Sequence, residues 1–389
     1  MKITDVEAIV LDTGKDYANP ADGAEAHGVR FVCLVKVVTD EGLVGWSDVE
    51  TQPQVGHAIV NAPSSGVRGF ESLRATLIGE DPLERVRLRE KMIRYLAYYG
   101  RQGAGAHMMS GVDIALWDIA GKAFNQPIHK LLGACYRDRV KAYASTLFRP
   151  TPGAMKSAVA GYLKQGFRAI KFGWGPFGHD LQLDETLVRA AREEAGAEID
   201  LMVDAGWYGI QGDNAVRPRN LKDWIRTVEM LEDQAIFWLE DFLPPENFAG
   251  YGTVAQSTRR LRLAAGEQLH GLAEFERLAE EGRVDVLQPD LSRCGGLTVG
   301  QQIADLATRR QIACVPHAWL TDLLKAASLH LNAYLPESLF LEYNVSSSSL
   351  LQQLCGAPIA MKDGWISVPQ GPGLGVEPEA RMIEKFRVL

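Results

Sequence analysis

Three acidic residues stand at the ends of apolar stretches, where their side chains could hold a metal ion. They are Asp204, Glu240 and Glu267, spaced roughly 30 residues apart, which leaves room for the helix and return of a βα unit. Carboxylates that meet at one end of a parallel sheet repel each other strongly unless a cation neutralises them. An all-oxygen cluster suits a hard divalent ion, so this pattern predicts a Mg²⁺ site.

These acids belong to a longer alternation of strand and helix patterns that starts at Val140. Eight apolar stretches predict eight strands, and the intervals between them carry helical periodicity. Eight such repeats are typical of a TIM barrel, whose chemistry lies at the C-terminal ends of the strands. The predicted strands span residues 140–146, 169–174, 199–206, 236–241, 262–267, 284–290, 312–318 and 339–344.

Ionisable residues mark the ends of the last seven predicted strands. A barrel with a purely structural role has no reason to place a charge at each of these positions. Because the C-terminal strand ends of a TIM barrel meet in one place, we expect the side chains to form a single site. In chain order they are Lys171, Asp204, Glu240, Glu267, Asp290, His317 and Glu342.

The chain before the barrel pattern predicts a smaller α+β unit. A helix is expected over 110–122, where Ser110 and Asp113 resemble a capping box. The other patterns are a strand over 2–12, a hairpin over 29–50, and helices over 69–80 and 82–99.

These patterns divide the chain into three parts. We predict an α/β fold with a modified TIM barrel at 126–355 and an N-terminal α+β capping domain at 1–125. The Gly- and Pro-rich segment 356–389 should leave the barrel and complete the capping domain. The polar, glycine-containing stretch 15–28 is either an ordinary surface loop or a lid over the site, with His27 as its candidate substrate contact.

Composition limits the partners and the compartment. The net charge of −8 and a pI near 5.6 disfavour nucleic acid or an anionic membrane as a partner. The chain has no apolar run long enough for a membrane span and no signal-peptide pattern at its N-terminus. Its five cysteines are scattered and odd in number, which favours reduced thiols and a cytoplasmic location.

The order of acids and histidine resembles the enolase superfamily, and within it the mandelate racemase subgroup, especially acid sugar dehydratases. The stretch 110–122 and the sequence around Asp290 resemble that family's capping-domain and sixth-strand motifs, and the likeness covers essentially the whole chain. It implies a proton-transfer dyad of Asp290 and His317, with Lys171 and Glu342 facing a substrate carboxylate. It also implies Mg²⁺ on the three strand-end acids, a sugar-acid substrate and a homo-oligomer.

The sequence departs from the subgroup at the second strand. Where the subgroup often has a second lysine, this chain has Gly173. That lysine serves as a base on one face of the substrate, so its absence disfavours racemisation. We expect specificity to lie in the lid, in residues 206–220 and in the 173–180 loop. Trp174 and His179 of that loop are candidate substrate contacts, and His179 is also a candidate second acid.

The chemistry expected of this set is removal of a proton next to a carboxylate, followed by loss of the neighbouring hydroxyl. His317 would be the base, and Asp290 would fix its tautomer. Burial near other carboxylates would raise the pKa of Glu342 and make it a neutral donor. The result would be a Mg²⁺-dependent dehydratase that forms a 2-keto-3-deoxy sugar acid.

Three alternatives remain at this stage. A racemase or epimerase needs an acid–base group on each face of the substrate. A cycloisomerase of this superfamily usually carries lysine on the sixth strand, where this chain has Asp290. A non-enzymatic metal-binding protein would need neither Asp290 nor His317.

Overall fold

The capping unit is a three-stranded antiparallel sheet with four helices. The computed structural model describes residues 1–14, 30–206, 219–346, 348–356 and 358–389. The strands pair in the order β1 (Ile3–Asp12), β2 (Phe31–Thr39), β3 (Val44–Val49). Gly42 has a φ of +81° in the turn of the predicted hairpin, a value that favours glycine. The helices are α1 (Pro53–Asn61), α2 (Leu73–Leu77), α3 (Arg85–Tyr95) and α4 (Gly103–Ala123).

The helix predicted at 110–122 starts earlier, and the predicted capping box is wrong. α4 begins at Gly103, so Ser110 lies inside it and its Oγ donates to the carbonyl of Ala106. Asp113 instead accepts from the backbone N–H (2.9 Å) and the hydroxyl (2.6 Å) of Thr298. Local sequence misplaced the start because the first turn is rich in glycine and alanine, and because α4 is buried along most of its length.

The eight predicted barrel strands are all present. Seven parallel ladders join them in the order β10-β9-β8-β7-β6-β5-β4-β11, so strands from β4 to β10 lie beside their chain neighbours and β11 lies beside β4. The strands are β4 (Arg139–Leu147), β5 (Ala169–Gly173), β6 (Asp200–Asp204), β7 (Trp238–Glu240), β8 (Arg262–Ala265), β9 (Val286–Leu287), β10 (Ala313–Cys314) and β11 (Leu341–Asn344).

The remaining helices alternate with the strands of the barrel sheet or follow the last of them. A π-helical turn at Leu278–Gly282 continues α10. The helices are α5 (Ile128–Leu132), α6 (Pro152–Lys164), α7 (Leu181–Ala195), α8 (Leu221–Asp233), α9 (Phe248–Ala255), α10 (Gly271–Arg277), α11 (Gly296–Arg310), α12 (Asp322–Tyr334), α13 (Ser349–Gln353) and α14 (Ala380–Phe386).

One cluster of buried side chains fills the inside of the curled sheet. Each of the eight strands, or the residue next to it, contributes one member. Trp238 packs edge-on against Tyr143 and Phe340 of this cluster. Such a layer is the packed interior of a TIM barrel, and the prediction of a modified TIM barrel is confirmed. The cluster consists of Tyr143, Ala169, Met202, Trp238, Ala264, Val286, Val315 and Phe340.

Side chains cross the seam between β10 and β11, where the described residues form no ladder. Glu342 accepts from the backbone N–H of Ala318 (2.8 Å), and Asn344 donates to the carbonyl of Trp319 (2.9 Å). These two bonds tie the eighth strand to the chain that leaves the seventh. The seam therefore lies beside Glu342, one of the predicted site residues.

The C-terminal segment contacts both units. β12 (Trp365–Ser367) pairs antiparallel with the start of β4. The last residues return to the capping sheet, where Val388 donates to Val10 (2.9 Å) and Val10 donates to Leu389 (3.1 Å). The domain boundaries at 125 and 355 stay predictions. Among the described residues, no helix combines the length and the apolar character that crossing a membrane requires.

Candidate active site

The sheet register places two of the predicted metal ligands side by side. Asp204 and Glu240 are the last residues of β6 and β7, and they are direct partners across the parallel ladder. Both side chains are buried. Burial and the neighbouring Glu240 carboxylate raise the pKa of Asp204 to about 8. The structure therefore brings together two carboxylates that repel each other, as the strand-end pattern predicts.

Lys171 lies among these acids. Its Nζ is 2.5 Å from Glu240, 3.0 Å from Glu342 and 3.5 Å from Asp204. Burial alone would lower its pKa, but the surrounding carboxylates raise it well above the ordinary lysine value. Lys171 is therefore a fixed cation and not a base, as expected from its neighbours.

His317 and Asp290 form the predicted pair. His317 Nδ1 is 2.7 Å from Asp290 Oδ2, and the other oxygen of Asp290 accepts from the backbone N–H of Ser292 at 2.6 Å. The carboxylate thus holds the proton on Nδ1 and directs Nε2 toward Glu267 (3.2 Å) and Glu342 (3.7 Å). An imidazole held in this way presents one nitrogen to a ligand.

The protonation state of His317 differs from the sequence-based expectation. Burial lowers its pKa, but Glu267, Glu342 and Asp290 outweigh burial and raise it well above 6.5. Without a counterion on the carboxylates, His317 is therefore a cation. The expectation of a pKa near neutrality treated the histidine without its three acidic neighbours.

The prediction of a neutral Glu342 is wrong. Burial raises its pKa, as expected, but the charges of Lys171 and His317 oppose it and bring the pKa down to about 2. The hydroxyl of Ser145 (2.8 Å) and the N–H of Ala318 (2.8 Å) also donate to its two oxygens. Glu342 is therefore an ionised acceptor, because two cations that lie far away in the sequence surround it.

Sequence reasoning missed a second ion-pair group. Arg293 lies 2.8 Å from Glu50, 3.6 Å from Glu267 and 3.9 Å from Asp290. Glu50 follows β3 of the capping unit, so this group joins the cap to the barrel end. The sequence could have pointed to Arg293, because it lies three residues after Asp290 in the sixth-strand motif. It gave no sign of Glu50, because that residue follows a hairpin of the other domain.

Asp241 is also part of the acidic cluster. From the sequence, a solvated strand end is slightly favoured for Asp241 over a position just outside the metal ligands, but this is wrong, because the residue is buried, with a φ of +41°. Burial, Glu267, Glu240 and Asp204 raise its pKa well above the ordinary value. The backbone at Asp241 is held in a region that residues other than glycine seldom adopt, as occurs at functional sites.

Several of these residues line a cavity of about 510 Å³, namely Glu50, Lys171, Asp204, Glu267, Arg293, His317 and Glu342. Trp174 lines it with a φ of +56°, an outlier for a bulky residue. His179 is exposed and is not among the lining residues, so the structure does not bring it to the site. His27, the rest of the predicted lid and most of the 206–220 loop lie outside the described residues.

Gly173 also lines the cavity, beside the acid cluster. A Cβ at this position would lie 3.2 Å from Asp204 Oδ2, which is a tight contact. The strand end opposite Asp204 therefore offers no side chain to act as a base.

The donor set fits a divalent cation. Among the described residues, seven acids face three cations, and every acid offers oxygen, as Mg²⁺ prefers. A different group, Glu50, Asp290 and His317, has its ligand atoms closer together, within 4.8 Å. Arg293 already contacts both of those carboxylates, so that group lacks the charge excess. The acids are Glu50, Asp204, Glu240, Asp241, Glu267, Asp290 and Glu342, and the cations are Lys171, Arg293 and His317.

Comparison with known proteins agrees with this fold. A family model described as mandelate racemase / muconate lactonizing enzyme, N-terminal domain, matches residues 7–133. A second, described as enolase C-terminal domain-like, matches residues 154–382. Together the two models span the capping unit and most of the barrel.

Individual relatives are similar over most or all of their length. A D-galactarolactone cycloisomerase from Agrobacterium fabrum is 31% identical over 407 residues, covering 100% of this chain and 99% of that protein. A D-xylonate dehydratase from Haloferax volcanii is 30% identical over 372 residues, covering 91% of this chain and 85% of that protein. The crystal structure of an enolase superfamily member from Polaromonas sp. JS666 matches with a TM-score of 0.85 and 30% sequence identity, covering 100% of this chain and 98% of that chain. The predictions of the family and of an enzyme are thereby confirmed, and the chain belongs to the mandelate racemase and muconate lactonizing enzyme family of the enolase superfamily.

Proposed function

We propose that this enzyme is a Mg²⁺-dependent sugar-acid dehydratase that gives a 2-keto-3-deoxy acid. The observation that carries the proposal is that His317 and Lys171 line the same cavity and that His317 Nε2 and the Lys171 ammonium both contact the acid cluster there. The similarity to a D-xylonate dehydratase over 91% of the chain supports the substrate class. The small-molecule partner would then be a polyhydroxylated carboxylate.

The proposed ligands of Mg²⁺ are Asp204, Glu240 and Glu267. Bound there, Mg²⁺ would stabilise the negative charge that develops on the substrate carboxylate when the neighbouring proton leaves. Lys171 would add its fixed positive charge from the second strand. Charge neutralisation at Glu267 would also weaken its hold on the His317 proton, so the basic form of His317 would become available in the loaded site.

His317 would move the proton. Asp290 keeps Nδ1 protonated, so Nε2 accepts the α-proton and can then return a proton to the departing β-hydroxyl. Gly173 offers no base on the opposite face. One base predicts that one configuration at C2 is processed and that elimination is syn.

The proposal is tested with a panel of aldonic and aldaric acids assayed for 2-keto acid. We expect Mg²⁺-dependent product from at least one acid, loss of activity in EDTA and recovery when Mg²⁺ is added back. Full activity of the metal-free enzyme would contradict the Mg²⁺ proposal, and the absence of any 2-keto acid across the panel would contradict the dehydratase.

A cycloisomerase is the second candidate, because a D-galactarolactone cycloisomerase matches the whole chain. Opening a lactone ring by loss of its ring oxygen would use the same proton abstraction with a different leaving group. The two reactions differ in mass balance, since dehydration loses one water and isomerisation loses none. Mass spectrometry of products from acids and from their lactones therefore decides between them.

A further inference from the structure

One wall of the cavity takes no part in the proposed chemistry. The start of α4 brings Gln102 and His107 of the capping unit to the cavity. The chain after β8 brings His270 and Glu274 to it. We call these four residues the distal wall.

His107 has an unmet hydrogen-bonding atom. Its Nδ1 is enclosed and has no hydrogen-bond partner among the described residues, although the ring lines the cavity. Burial and the nearby Arg293 cation lower the pKa of His107 to about 4, so the ring is neutral near pH 7. A neutral imidazole offers one donor and one acceptor, which are the two functions of a hydroxyl group.

The other members of the distal wall are held in place by one another. Glu274 accepts from the backbone N–H of His270 (2.7 Å) and from the side-chain amide of Gln102 (3.2 Å). His270 Nδ1 is 2.9 Å from the carbonyl of Arg293 and must donate to it, which leaves Nε2 as an acceptor. The wall thus carries fixed polar groups before any ligand binds.

Strand order places the distal wall opposite Lys171. In an eight-stranded barrel, the fifth and sixth strands, β8 and β9, face the first and second, β4 and β5. His270 and Arg293 follow β8 and β9, whereas Lys171 and Trp174 belong to the end of β5. A ligand with its carboxylate near Lys171 therefore extends its chain toward His107.

We propose that the distal wall, with His107 at its centre, is a hydroxyl-binding subsite that selects long polyhydroxylated acids over short ones. This inference rests on the proposed function, because it assigns a binding site to the end of the proposed substrate that does not react. A chain hydroxyl at this position would form a hydrogen bond with one ring nitrogen of His107. An acid without that hydroxyl would leave the nitrogen unpaired, and sites of this kind reject such analogues strongly.

The test compares binding and turnover of a six-carbon aldonic acid and of glycerate, both in Mg²⁺. Isothermal titration calorimetry gives Kd, and 2-keto acid formation gives kcat and KM. We expect His107→Leu to weaken binding and raise KM for the six-carbon acid by about 10-fold or more, from loss of a buried polar contact. Glycerate should change less than about twofold, because it does not reach the wall. His107→Gln should recover part of the loss.

His57→Gln is the matched control, a partly buried histidine of the capping unit that does not line the cavity. Two results would overturn the subsite without affecting the proposed function, provided that the wild type turns over sugar acids. One is an equal loss of binding for the six-carbon acid and glycerate in His107→Leu. The other is a His107→Leu variant that still prefers the six-carbon acid as strongly as the wild type does. Failure of the wild type to bind either acid would also overturn the subsite. A further result would separate the two proposals: the wild type binds the six-carbon acid better than glycerate, His107→Leu abolishes this preference, and the wild type turns over no acid. This would support the subsite and contradict the proposed dehydratase activity.

Discussion

Strand register and the Lys171 cation bring the acids at the strand ends together. Asp204 and Glu240 lie in register on adjacent strands, and Lys171 contacts both. A buried carboxylate whose pKa is raised to about 8, as in Asp204, is poised to gain a cation. We therefore expect the charge of each residue in this site to determine its effect on activity. Substitutions that keep the shape of the side chain but remove its charge test this directly.

Glu240→Gln should reduce turnover by at least about 100-fold, because it removes one anionic ligand and one partner of Lys171. The shape of the side chain is kept, so circular dichroism and the unfolding temperature should show an intact fold. Glu280→Gln, an exposed acid, is the control and should be fully active. A Glu240→Gln enzyme with ordinary kcat would remove this residue from the metal site.

His317→Asn should lose both turnover and exchange of the α-proton with D₂O, because no other described strand-end residue offers a base. Wild-type enzyme should exchange that proton without inverting C2, since Gly173 cannot act on the other face. NMR of recovered substrate measures both properties. Recovery of the inverted epimer would show a second base and favour the racemase.

At the scale of elements, α4 joins the capping unit to the barrel. Asp113 accepts from Thr298 near the N-terminus of α11, where a negative charge is favoured. Asp118 accepts from Trp46 of β3 and from Leu374 of the C-terminal segment. The stretch that resembles the family's capping-domain signature therefore has a structural role, because its acids satisfy backbone groups of three other segments.

Asp113→Ala should lower the free energy of unfolding by about 1–3 kcal/mol, since it leaves the partly buried N–H of Thr298 unpaired. Asp113→Asn keeps an acceptor and should cost less. Urea denaturation measures both variants, with the exposed Asp233→Ala as a control that should change stability by less than about 0.5 kcal/mol. Equal stability of Asp113→Ala and wild type would show that Thr298 finds another partner.

At the scale of the whole molecule, a buried histidine pair links α5, α12 and the C-terminal segment. His330 Nε2 donates to the carbonyl of Leu374 (3.1 Å), so its Nδ1 accepts from His129 Nδ1 (3.1 Å). Burial lowers the pKa of His330 to about 3. A histidine that stays neutral in the fold but protonates near pH 6.5 when unfolded favours unfolding as the pH falls.

The contribution of His330 to stability is present above about pH 6.5 and is lost progressively as the pH falls toward 3. His330→Gln should therefore flatten the fall in unfolding free energy between pH 6.5 and 4, by up to about 1.4 kcal/mol per pH unit. Buried acids with a raised pKa, such as Asp113, favour the folded state as the pH falls. They are present in both the wild type and His330→Gln, so they do not affect the comparison. An unchanged slope, measured beside the exposed His179→Gln, would contradict this assignment.

Local sequence determined the strands and the position of each ionisable residue at a strand end. These follow from hydrophobic periodicity and chain order, which neighbouring residues set. The lack of a base at Gly173 followed instead from the resemblance to the subgroup, which often has a lysine there. Tertiary structure decided the charge states of His317 and Glu342, the start of α4 and the contact of Arg293 with Glu50. Charge states and such contacts depend on burial and on Coulomb interactions between residues far apart in the chain, which periodicity does not encode.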